Sequence, residues 1–167
     1  MNLMLFGNSC SGKTTLAKML TKFGYKHLPT GEMTRYLYGL GCTNMPYVMT
    51  TIIESLTPNS YCFDHFYIHT MKQLKALTGS YPVVIQVVDK RSKLICHLQD
   101  PAKIARKRER FDAQYDTIVK WLVANGIKPL NVINMDTGFD VSNLIEEKII
   151  PYASMPVLIP EVHNADS

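Results

Sequence analysis

The chain of 167 residues has no apolar run approaching the ~18 that a membrane-spanning helix requires, so no crossing segment is expected. Its start, MNLMLFG, lacks the basic opening and small-residue cleavage site of a secretory leader. The four cysteines, Cys10, Cys42, Cys62 and Cys96, show no paired short spacing, which argues against a zinc site and a disulfide framework and for a reduced cytoplasmic location. The five histidines are not grouped as metal ligands: His65 and His69 stand four apart, but no third ligand accompanies them. An Asn-Lys-x-Asp guanine-reading motif is absent, which removes a GTPase-type switch. Charged residues make up only 19%, and the net charge of +4 is too small to indicate nucleic acid by itself. It does suit an enzyme of polyanionic ligands, because a positive cleft concentrates them.

What is present is an alternation of short strand-like runs and helical patterns, the signature of an α/β fold with a mostly parallel sheet. Strands are expected at 2–6, 25–28, 60–64, 83–89 and 130–135. Helices are expected at 13–23, 32–40, 46–56, 65–77 and 100–125, with a last one from an Asp140 cap to Ile149. Residues 155–167 carry two prolines and no periodicity, and read as a surface tail. No linker or repeat divides the chain, so the expectation is one domain: a three-layer αβα sandwich around five strands.

Residues 7–14 read GNSCSGKT, a complete G-x-x-x-x-G-K-[ST] motif between a strand and an amphipathic helix. In this pattern the amides of Gly7, Asn8, Ser9, Cys10, Ser11 and Gly12 turn inward around a phosphate, with Thr15 in the first helical turn. Lys13 bridges the β- and γ-phosphates of ATP, and the Thr14 hydroxyl coordinates Mg2+. Cys10 is either a thiol activated by the amides and Lys13 or a small residue tolerated in the loop. The metal also needs a carboxylate at the end of a neighbouring strand. Asp64 is best placed, and Asp89 is its rival.

The loop, HLPTGEMTR at 27–35 and FDHFYIHTMKQLKAL at 63–77 together resemble the adenylate-kinase-like nucleoside monophosphate kinases of the P-loop class. The resemblance touches most of residues 1–150, with degraded motifs and a shortened acceptor insert at about 31–60. It implies an acceptor site built by Thr30, Gly31, Glu32 and Arg35, with Arg35 gripping the acceptor's phosphate. Glu32 stands where the family has Asp, and Ile68 replaces a second phosphate-gripping arginine. The base-reading glutamine would fall at Lys72, with Gln73 one step off, and His65 belongs to the same segment. RFDAQYDTI at 110–118 carries over Arg110 and Asp112, while a later arginine falls at Trp121, beside Lys120. NMDTGFDV at 134–141, with Gly138, is similar to the loop lining the donor adenine.

Lys103, Arg106, Lys107, Arg108 and Arg110 crowd one stretch, and four of them share a helix face. In a phosphotransferase such a segment, about 97–112, is expected to act as a lid whose Arg106 and Arg110 stabilise the transferring group. Lys13, Asp64, Arg106 and Arg110 are therefore the candidate catalytic residues, and Thr14 and Asp64 the Mg2+ ligands. The expected reaction is ATP-dependent phosphorylation of a nucleoside or deoxynucleoside monophosphate, with a small nucleotide as partner. No membrane is expected, and nucleic acid is disfavoured because no aromatics interleave the basic residues. The alternatives are a small-metabolite or nucleoside kinase using Glu32 as base, a polynucleotide 5′-kinase, and a non-catalytic nucleotide-binding regulator.

Overall fold

The computed structural model describes residues 1–96, 98–152 and 157–158. Its chain is α/β. Strand β1 (Leu3–Phe6) is buried along its whole length. Side chains alternate across a strand, so Leu3 and Leu5 enter one apolar cluster while Met4 and Phe6 enter another. Both faces of the sheet are thus packed. Helix α1 (Lys13–Leu20) covers the first face with Leu16, Ala17, Met19 and Leu20, and a 3-10 turn over Thr21–Phe23 closes it. Strand β2 (Lys26–Leu28), helix α2 (Thr30–Gly39) and helix α3 (Met45–Glu54) follow. The Asn44 side chain caps α3 by accepting from the Tyr47 amide.

Strand β3 (Tyr61–Phe63) and helix α4 (Ile68–Thr78) lead to β4 (Val83–Asp89), whose β-branched run is buried among its neighbours. Helix α5 (Pro101–Ala124) is continuous over 24 residues and starts at Asp100, whose carboxylate accepts from the Ala102 amide at 3.0 Å. Strands β5 (Leu130–Met135) and β6 (Gly138–Asp140), helix α6 (Ser142–Glu146) and strand β7 (Val157–Leu158) complete the described chain.

The sheet order is β2-β3-β1-β4-β5-β6-β7. Pairings from β2 through β5 are parallel, and those of β6 and β7 are antiparallel. Register pairs Leu3 with Cys62 on one side of β1 and with Val83 on the other. The chain therefore leaves β1 between two parallel neighbours, where the carboxyl ends of such a sheet open a crevice.

The structure corrects the sequence expectations at several points. Among the described residues the sheet has seven strands rather than five. Gly138, at a φ of 125°, lets the chain reverse after Met135 and pair back on it, and this seats Phe139 in the core. Val157–Leu158 pairs with β6, although residues 155–167 read as a surface tail; the rest of that stretch lies outside the described residues. Helix α4 begins at Ile68 rather than 65, because Phe66 is turned into the core before the helix opens. Helix α6 stops at Glu146 because Lys148 is left-handed, at a φ of 59°. Cys10 and Cys96, 86 residues apart, are joined as a disulfide, against the expectation from their spacing.

Candidate active site

The turn after β1 is tight enough to dictate its glycines. A Cβ on Gly7 would stand 2.7 Å from the Val87 carbonyl oxygen. One on Gly12, which is left-handed at a φ of 101°, would stand 2.7 Å from Asn134 Nδ2. The Asn134 amide, buried in β5, donates to the Ser11 carbonyl at 3.0 Å and fixes the loop's far side. Ser11 Oγ is buried with no partner among the described residues. Lys13 is buried too, and its Nζ donates to the Gly7 and Asn8 carbonyls at 2.8 and 2.9 Å. Burial pulls the Lys13 amine down to about 8; Asp64 opposes this, and the Lys107 and Arg35 charges reinforce it. An anion arriving at the loop would favour the charged amine.

Asp64, just past β3, is the loop's acidic neighbour. Its Oδ2 accepts from Thr14 Oγ1 at 3.3 Å and lies 2.9 Å from His27 Nε2. Its Oδ1 accepts from Thr30 Oγ1 and the Gly31 amide, both at 3.4 Å. Burial alone would raise its carboxyl; the His27 hydrogen bond and charge, the Gly31 amide and His65 outweigh burial and hold it below the ordinary value. Asp64 is thus an ionised carboxylate beside a threonine hydroxyl. Asp89 is engaged elsewhere: Arg91 binds it through Nε at 2.8 Å and reaches the Cys10 carbonyl at 2.7 Å.

A cavity of about 580 Å³ opens from the loop. Gly7, Ser9 and Lys13 line one part, while Arg35, His65, Lys107 and Arg110 bring basic side chains from α2, the β3–α4 turn and α5. Phe66, Phe111, Ile118, Met45 and Met49 supply apolar wall, with Thr70, Gln114 and His69 as polar points. His65 is pushed down to about 4 by burial and by Lys13, with Arg35 and Lys107 adding to Lys13 and Asp64 opposing, so it is neutral at physiological pH. Its ring lies 4.7 Å from that of Tyr67, whose hydroxyl donates to Thr34 Oγ1 at 3.1 Å.

The structure gathers most of the expected site residues but not all. Thr14, Thr30 and Gly31 meet at Asp64, and Thr15 is buried in α1. Arg35, His65 and Arg110 line the cavity. Glu32 and Arg106 are exposed and do not line it, and Lys107 faces it instead. Gly138 is buried in β6, next to the Phe139 ring that abuts Gly12. Gln73 donates to the Thr50 carbonyl, and Trp121 packs edge-on against Tyr81 at 5.6 Å. The segment expected as a lid comprises residues 98–100 before α5 and the first half of that helix; residue 97 lies outside the described residues.

Cys10 takes a left-handed φ of 62° and is tied to Cys96, ahead of α5, with Cα atoms 5.1 Å apart. Sequence reasoning also missed His27 and Asn134; one sits in a three-residue strand, and the other carried no role in its motif.

The residues present fit a phosphate cradle with a divalent cation. Collision-free glycines, an orphaned Ser11 hydroxyl, Lys13 and the Thr14–Asp64 pair are the parts such a site needs. Among the described residues no group of three or more His, Cys, Asp and Glu could hold a metal, so a cation here would draw ligands from nucleotide oxygens and water. No helix of the described residues is long and apolar enough to cross a membrane. No protein-family model matches this chain, and neither does any characterised protein compared with it.

Proposed function

We propose that this chain is an ATP-dependent phosphotransferase whose acceptor carries a phosphate, a nucleoside or deoxynucleoside monophosphate, on a three-layer α/β fold of P-loop kinase type. One observation carries the reading: the glycine-rich loop with Lys13, and Arg35, line a single cavity, and the Thr14–Asp64 pair stands behind its lining residue Gly31. Loop amides and Lys13 would hold the donor's β- and γ-phosphates. Thr14 and Asp64 would hold Mg2+, which supplies charge neutralisation on those phosphates when bound. Arg35 would grip the acceptor's phosphate through its planar fork. An oxygen of that phosphate attacks the γ-phosphorus, the bond to the β–γ bridging oxygen breaks, and ADP leaves. The attacking oxygen is already anionic, so no base is required.

The exposure of Glu32, away from the cavity, favours this over a hydroxyl acceptor needing a base. One feature favours a second reading, in which an oligonucleotide end is the acceptor. Tyr36, Tyr38 and Tyr47 are 67%, 64% and 68% exposed on α2 and α3, and Tyr38 lines the cavity. A coupled ADP-release assay across ribo- and deoxynucleoside monophosphates separates these. We expect Mg2+-dependent release stimulated by one or a few monophosphates, reduced about a hundredfold or more by Lys13→Met. Stimulation only by nucleosides or by 5′-hydroxyl oligonucleotides would move the acceptor class, and none by any acceptor would remove the reading.

A further inference from the structure

Helix α5 presents a regular stripe to the cavity. Lys107, Phe111, Gln114 and Ile118 recur at helical spacing and all line it, with Arg110 beside them. Phe111 anchors the stripe, its ring 5.4 Å from Phe6 on β1, so the turn that carries Lys107 is held against the body of the protein. Lys107 is half-buried, and the ion pairs His27–Asp64 and Arg91–Asp89 do not include it. A partly desolvated cation facing a cavity without a counter-charge is costly, and an arriving anion removes that cost.

Resting on the phosphotransferase reading above, we infer that Lys107 is a phosphate-binding residue of the acceptor subsite, closing with Arg35 on a dianionic phosphate and tying α5 to α2. The mutual influence of the charges agrees with this placement. Among the cations acting on Lys13, Lys107 acts most strongly, and the charge Lys107 itself feels most is that of Arg35. Lys107 therefore couples to both Lys13 and Arg35, cations that line the same cavity. A hydroxyl acceptor would leave the Lys107–Arg35 repulsion in place, whereas a dianion relieves it.

The test uses the full chain saturated with Mg2+ and a non-hydrolysable ATP analogue, so that the γ-phosphate position is filled, titrated with inorganic phosphate by calorimetry. Lys107→Met and Lys107→Gln should each weaken phosphate about tenfold or more. Lys107→Arg should stay close to wild type. Lys120→Met, which removes a charge elsewhere on α5, should change it less than about twofold, because an exposed distant charge is screened. Analogue affinity should change by less than about threefold in all four variants, well below the loss in phosphate affinity, and unchanged thermal unfolding shows that they are folded. Wild type that fails to bind the analogue would overturn both the phosphotransferase reading and the clamp. Normal analogue binding with phosphate affinity unchanged in both Lys107→Met and Lys107→Gln, lowered equally in Lys120→Met, or absent in wild type would overturn the clamp alone.

Discussion

Asp64 collects the Thr14 and Thr30 hydroxyls, the Gly31 amide and the His27 ring, while Asp89 spends its oxygens on Arg91. The two carboxylates, both strand-end acids in sequence with Asp64 the better placed, therefore have different partners. Asp64→Asn should lower Mg2+-dependent turnover about a hundredfold, because it removes the carboxylate proposed to hold the cation. Asp89→Asn should leave turnover within about threefold and instead destabilise the fold by about 1–2 kcal/mol, since Arg91 then loses its anchor. Metal-titrated kinetics and denaturant unfolding of the two variants decide this, and the reverse pattern would reassign the metal carboxylate.

His65 titrates with a definite sign. Its folded value, about 4, lies below the ordinary 6.5, so unfolding takes up a proton as pH falls below that ordinary value. Its contribution to stability is present above about 6.5 and is lost progressively toward 4. His65→Asn should flatten the wild-type loss of thermal stability between about pH 6.5 and 5. An unchanged slope would mean that His65 is charged in the folded protein.

At the scale of elements, α5 runs almost where the sequence expects a helix, at 100–125. Its basic residues, in a segment of about 97–112, suggested a lid, and the same helix carries Phe111, Tyr115, Ile118 and Trp121 onto the second core cluster. Phe111→Ala should cost about 2–3 kcal/mol, as expected for a partly buried ring tilted against Phe6 and Tyr115. A loss below about 1 kcal/mol in denaturant unfolding would mean that the helix is loosely attached. The disulfide joins this helix's approach to the loop after β1. Reduction, Cys10→Ser or Cys96→Ser should each lower stability by about 2–4 kcal/mol, and the two substitutions should not add. Additive losses would mean that the sulfurs are not bonded.

Local patterns made the strand–loop–helix around residues 7–14 legible, because β1 is uniformly apolar and α1 repeats its apolar side chains at helical spacing. Strand β6 was not legible: three residues carry no period, and only pairing on β5 makes them a strand. The choice of Lys107 over Arg106 depends on the rotation of α5, which Phe111 sets by meeting a ring on a strand far away in sequence. The burial of Lys13 was equally hidden, because its loop carbonyl partners appear only once the turn has closed.

For the molecule as a whole, the sheet brings the ends of β1 and β3 side by side, so the loop and Asp64 meet although 50 residues separate Thr14 from Asp64. Helices α2 and α5 then bring Arg35, Lys107 and Arg110 to the same cavity. This arrangement predicts phosphate-to-phosphate transfer, and the destination of the terminal phosphate of ATP tests it most directly. With γ-labelled ATP, Mg2+ and a mixture of nucleoside monophosphates, label should appear in the β-phosphate of a nucleoside diphosphate. Arg35→Ala should raise the acceptor's KM about tenfold or more while leaving that of ATP nearly unchanged. Label found on a hydroxyl, only in orthophosphate, or still in ATP would contradict the account.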